Sequence, residues 1–177
     1  MPQLHDRPDV MVFPPFIPLT TLAIACGLQW WMPLAVIDGI GLAWRIGVGV
    51  IAIVAGAFIT ISGRLALTRL GTNVNPSQPT TALATRGIFA LTRNPLYVGI
   101  LPVMCGIALV FALDWLVLLV VPSYFVLHFC VIKREEQYLE RKFGEDYRSY
   151  KARVPRYVWP FFGRSSSPAR SNSRQEI

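Results

Sequence analysis

Two short runs of the 177-residue chain hold side chains whose types and spacing could do chemistry: Arg93-Asn94-Pro95-Leu96-Tyr97 and Glu135-Glu136. Asn followed by Pro marks a helix start, because Asn suits the cap and Pro at the first helical position loses no useful donor. The N-terminal end of a helix is positively polarised, so with Arg93 beside it this run could hold an anion. Adjacent helical residues stand about 100° apart, so Glu135 and Glu136 cannot both face one pocket directly. There is no Cys/His cluster, no Gly-rich phosphate loop and no Ser-His-Asp arrangement, so no metal is expected. Of the two histidines, His5 lies in the polar lead and His128 inside an apolar run, where a structural pairing outweighs the functional flag that an intramembrane ionisable group carries.

Each of these residues also suits a plainer role. Arg93 could simply be a membrane-flanking cation, Asn94-Pro95 only a cap, and Tyr97 an interface anchor. Glu135 and Glu136 could pair along a solvated helix face with Lys133 and Arg141.

The elements that must position these runs are apolar. The hydrophobic fraction is 53% against 15% charged, and no charge falls between Asp9 and Asp38, Arg45 and Arg64, Arg93 and Asp114, or Asp114 and Lys133. Each gap is near or above the roughly 17–25 residues that a membrane helix needs. The expected fold is an all-α integral membrane protein of about four transmembrane helices. The spans run from about Val10 to Leu34, from Trp44 to near Gly63, from Pro95 to Leu113 and from Trp115 to about Ile132, the last two forming a helical hairpin. Pro102 and Pro122 are expected to kink its arms. Gly47, Gly49, Ala52, Ala55 and Gly56 give the second span a small face for close packing. Residues 64–95 form a long loop with Arg64, Arg69, Arg86 and Arg93 and no acid. From Lys133 the chain reads as an amphipathic helix broken at Gly144, with Tyr147 and Tyr150 on one face. The organisation is thus a two-helix region (1–63), a region holding the candidate site (64–162), and a Ser/Arg-rich disordered tail (163–177).

The net charge of +7 comes from Lys and Arg flanking the spans, a membrane pattern rather than a nucleic-acid one. Four crossings with the positive segments on one side put both termini and the 64–95 loop in the cytoplasm. Cys26, Cys105 and Cys130 all lie in apolar spans without paired spacing and read as small buried hydrophobes.

The run Gly87-Ile88-Phe89-Ala90-Leu91-Thr92-Arg93-Asn94-Pro95-Leu96-Tyr97-Val98-Gly99 resembles the signature of the isoprenylcysteine carboxyl methyltransferase family, related to the phospholipid methyltransferases. Glu135-Glu136, Leu139, Phe143-Gly144-Glu145-Asp146-Tyr147, Tyr150 and Val154-Pro155 resemble its second block. The likeness covers about residues 70–162. It implies methyl transfer from S-adenosylmethionine to a lipophilic, membrane-borne acceptor, most simply a carboxylate. It also implies that Gly87, Asn94, Pro95, Tyr97, Gly99, Glu135 and Glu136 surround the cofactor, with Arg93 on the substrate carboxylate. Many members carry His where this chain has Asn94, which cannot titrate near neutrality. N-methylation of an amine, an NADPH-dependent sterol-type reductase and a non-catalytic membrane scaffold are the alternatives.

Overall fold

The computed structural model describes residues 8, 10–75 and 78–157. His5, Trp159 and the expected 163–177 tail lie outside them. Among the described residues the protein is all-helical, with no strand. Its helices are α1 (Phe16–Trp31), α2 (Leu42–Arg69), α3 (Pro95–Phe111), α4 (Asp114–Leu127) and α5 (Lys133–Arg153). Short 3₁₀ turns occupy Ile37–Gly39 and Gly87–Ala90, and a π-helical turn, His128–Ile132, joins α4 to α5.

Two helical stretches are long and apolar enough to cross a bilayer, α2 and the Asp114–Arg153 stretch that contains α4 and α5. With 16 and 17 residues, α1 and α3 extend roughly 25 Å at 1.5 Å per residue, a little under the ~30 Å hydrocarbon core. α1 is shorter at both ends than its charge-free run, because Pro15 sits at its N-cap and Pro33 follows its end. α2 runs past Gly63 to Arg69, since Leu65-Ala66-Leu67 are good helix formers, so the loop is shorter than expected.

α2 and α3 pack most closely. The buried α2 glycines are Gly49, Gly56 and Gly63, spaced by seven, while Gly47 lies in open space. A methyl group added at Gly49 would sit 2.9 Å from the Gly106 carbonyl oxygen, and one at Gly63 would sit 3.0 Å from the Pro95 ring. This seam fixes the start of α3 against α2, and α2 runs unbroken through the expected boundary at residue 63.

α3 turns into α4 through two residues, with Ala112 in the left-handed region (φ 52°). Asp114 is buried there and accepts hydrogen bonds from the Ile37 backbone N–H (2.8 Å) and Gln29 Nε2 (3.3 Å). Pro102 and Pro122 lie inside α3 and α4. Cys26 and Cys105 face out of the bundle, and only Cys130 is half-buried, so the expectation of buried thiols is corrected: the first two lie on the outer faces of their helices. Gly144 does break α5, with φ 53° and ψ −121°, a conformation that favours glycine.

Candidate functional site

At the end of the bundle opposite Asp114, a cleft opens between the start of α3, the loop after α2 and one face of α5. Arg93, Asn94, Pro95 and Tyr97 line it from α3 and the residue before its cap. The loop contributes Asn73, Thr80 and Ala84, and α5 contributes Glu135, Tyr138, Tyr147 and Tyr150. The loop is ordered by its own polar side chains. Thr72 Oγ1 accepts from the Thr81 and Ala82 N–H groups (3.0 and 3.4 Å), and Asn73 Nδ2 donates to the Pro79 carbonyl (2.8 Å). Tyr138 ties it to α5 by accepting from the Thr80 N–H (3.1 Å).

The acid pair divides its labour. Glu135 faces the cleft, and its Oε1 accepts from the Tyr97 hydroxyl at 2.7 Å. Loss of hydration, reinforced by the neighbouring Glu136 charge and only partly offset by the Tyr97 bond, pushes its carboxyl up to about 7. Glu136 lies behind that wall, 5% exposed. Arg156 approaches both its oxygens, Nε at 3.0 Å from each and Nη2 at 2.7 Å from Oε2. Asn94 Nδ2 donates to Oε1 (3.2 Å), and Arg93 Nη2 stands 3.4 Å away. The surface pairing with Lys133 and Arg141 is therefore corrected for Glu136: its partners come from across the fold.

The π turn explains this phase. Inserting a residue rotates everything after it by about 100° relative to a continuous α-helix. Val131 and Ile132 become fully buried beside Tyr97 and Leu127, and Glu135 comes round to the Tyr97 hydroxyl. His128, within the turn, pairs through Nδ1 with the Tyr157 hydroxyl rather than with backbone.

Asn94 occupies the N-cap, and its carbonyl accepts from the Tyr97 and Val98 N–H groups, yet its side chain makes no capping bond. The expected cap is corrected: the amide instead turns to Glu136, because a buried carboxylate demands donors more strongly than a helix end does. Tyr97 is 8% exposed, a cleft residue and not an interface anchor. Gly99 is placed elsewhere than expected, against Gly56 and Thr60 of α2, where a side chain would clash. Gly87 has φ +63° and open space around it; it shapes the turn before the site and is absent from the cleft wall.

Arg93 is the least satisfied residue of the group. Its side chain is 8% exposed, and its Nε and Nη1 have no hydrogen-bond partner among the described residues. Leaving a buried donor unmade costs about 1–3 kcal/mol, more when it is charged. Buried Arg93 and the partly exposed Arg156 bring two positive charges to the single negative charge of Glu136. A strap after α5 completes it: the Arg93 N–H donates to the Pro155 carbonyl (3.0 Å), and the fully buried Thr92 hydroxyl donates to the Arg156 carbonyl (2.8 Å). Arg156 and Thr92 escape a sequence reading. The available signal for Arg156 is indirect: an acid pair buried by its helix phase needs a cation that no near neighbour supplies.

The cleft thus joins charged and aromatic side chains at one end of an apolar helical bundle. The phospholipid methyltransferase family model matches residues 44–146, more than half of the chain, and the chain belongs to that family. No curated protein and no solved structure matches it. The protein is accordingly a membrane methyltransferase, of a family that generally draws its methyl group from S-adenosylmethionine and acts on membrane lipids.

Proposed function

We propose that the protein transfers a methyl group from S-adenosylmethionine to the carboxylate of a lipophilic, membrane-borne acceptor at the cytoplasmic face. The observation that carries this reading is the buried Arg93 guanidinium with two donors unpaired at the cleft. The residues present fit the methyl donor. It bears a carboxylate, an ammonium group and ribose hydroxyls, and the cleft offers Arg93 to the first and Glu135 with Tyr97 to the others. Asn94, Pro95 and Glu136 shape this end from behind, with Gly87 and Gly99 setting the backbone around it. When bound, the donor supplies a methyl group on a positively charged sulfur, open to attack by a nucleophile. The protein's own share is to bring the reactants together and exclude water, since a carboxylate is already ionised at neutral pH and needs no base. With Nη2 directed to Glu136, Arg93 grips its anion through Nε and Nη1. The site is assigned to the 64–162 region, and the positive flanks of the spans support a cytoplasmic position for it and for both termini.

One observation favours a second reading, methylation of an amine. Such an acceptor must shed a proton, and Glu135, with its carboxyl near 7, is placed to take it. Labelled S-adenosylmethionine with laurate and laurylamine, matched in chain, separates the two. Laurate is expected to be methylated, and Arg93→Ala to lower its turnover by about ten- to a hundredfold, much more than that of any amine. Turnover of laurylamine alone, lost in Glu135→Gln, overturns the carboxylate reading in favour of the amine one.

A further inference from the structure

We propose that Arg156 is a positioning residue that holds Glu136 away from Arg93 and thereby keeps the Arg93 donors open for a carboxylate ligand. This rests on the reading of Arg93 given above. Glu136 is a buried carboxylate within reach of two guanidinium groups, and it does not share itself evenly between them. Three short contacts, at 3.0, 3.0 and 2.7 Å, join it to Arg156, whereas Arg93 reaches it with one nitrogen at 3.4 Å. Asn94 takes a further place on Oε1. The carboxylate is saturated, so Arg93 is held close without being consumed, and its Nε and Nη1 stay unpaired.

Removing the Arg156 charge leaves Glu136 buried with a single cation. A buried carboxylate without adequate compensation is strongly unfavourable. Arg93 is the nearest group able to answer, and it needs to move only a fraction of an ångström to close on Glu136. The same step draws the guanidinium, and its two unpaired donors with it, toward Glu136 and away from a ligand. The strap is held independently of the ion pair by the Thr92 hydroxyl and the Arg93 N–H, which bond to the Arg156 and Pro155 carbonyls, so changing the Arg156 side chain leaves these bonds available.

The carboxylate could belong to the acceptor or to the methionine end of the donor, and calorimetry on the detergent-purified full chain distinguishes them. One arm titrates laurate against laurylamine; the other titrates S-adenosylhomocysteine against 5′-methylthioadenosine, which lacks the amino-acid end. In the wild type the carboxylate member is expected to bind more tightly in at least one arm. Arg156→Gln should weaken that member by about tenfold or more, leaving its carboxylate-free counterpart within about twofold. Arg156→Lys, which keeps the charge but not the forked contact, should restore part of the loss. Adding Glu136→Gln to Arg156→Gln should restore more of it, because no carboxylate then competes for Arg93; a purely structural role predicts a worse double variant. A wild-type preference that survives Arg156→Gln, or an equal loss for both members of a pair, overturns the inference alone. No preference in either arm of the wild type overturns the reading of Arg93, and the inference with it.

Discussion

At the residue scale, the informative contrast is between neighbours in sequence that meet different surroundings. Glu135 and Glu136 are consecutive, but one faces Tyr97 across the cleft and the other is enclosed by two arginines and an amide. Glu135 is the group that desolvation acts upon. Its carboxyl titrates near 7 when folded, above the usual 4.5, so the folded state holds the proton more tightly than the unfolded chain. The sign follows: its contribution to stability is fully present below about pH 4.5 and is lost as the pH rises through about 7. Glu135→Gln removes this dependence. Melting of wild type and variant across that window should show the wild type losing ground to the variant by on the order of 2–3 kcal/mol as pH rises. Parallel melting curves at every pH would show that Glu135 is not desolvated as described.

At the element scale, the seam between α2 and α3 is what aims the site. Gly99 shows how tightly: a side chain there meets Thr60 and the Gly56 carbonyl of the facing helix. Gly99→Val should cost about 1–3 kcal/mol through overpacking and lower activity, because pushing α3 outward moves Asn94 and Tyr97 away from α5. Gly47→Val, in open space, is the matched control and should leave both unchanged; equal effects would mean the seam does not position the site. This element was half legible in the sequence. The small residues of α2 announced a packing helix, but which glycines face inward depends on the partner, and Gly99 looked like part of the cofactor site because it closes the motif. The apolar runs, the helix start at Pro95, the tight turn at Asp114 and the break at Gly144 were legible, since charge patterning and local backbone preference decide them. The π turn was not: nothing in His128-Phe129-Cys130-Val131-Ile132 distinguishes it from ordinary apolar helix, yet it sets which glutamate meets the cleft. Arg156 was hidden for the same reason, its role being set by a contact across the fold.

At the scale of the whole molecule, the two ends of the bundle differ in character. One end holds the cleft, with Arg93 and Arg156 both drawn to Glu136. The other is closed by Asp114 on the Ile37 N–H and by Arg45 paired with Asp38 at 2.6 Å, two acids against one base. The cationic segments 64–93 and 133–156 both belong to the cleft end, and such segments remain on the cytoplasmic side when a membrane protein is inserted. The cleft is therefore expected to open to the cytoplasm, where a soluble methyl donor is found, while the apolar sides of the bundle leave a lipid-borne acceptor free to approach from the bilayer. Labelling with a membrane-impermeant maleimide tests this directly. In a background with Cys26, Cys105 and Cys130 replaced by Ala, Thr81→Cys reports on the cleft loop and Ile40→Cys on the opposite end; both positions are exposed. In sealed right-side-out bacterial cells Ile40→Cys should label and Thr81→Cys should not, and inverted vesicles should reverse the pattern. Labelling of Thr81→Cys from outside intact cells would put the cleft on the wrong face for a cytoplasmic donor.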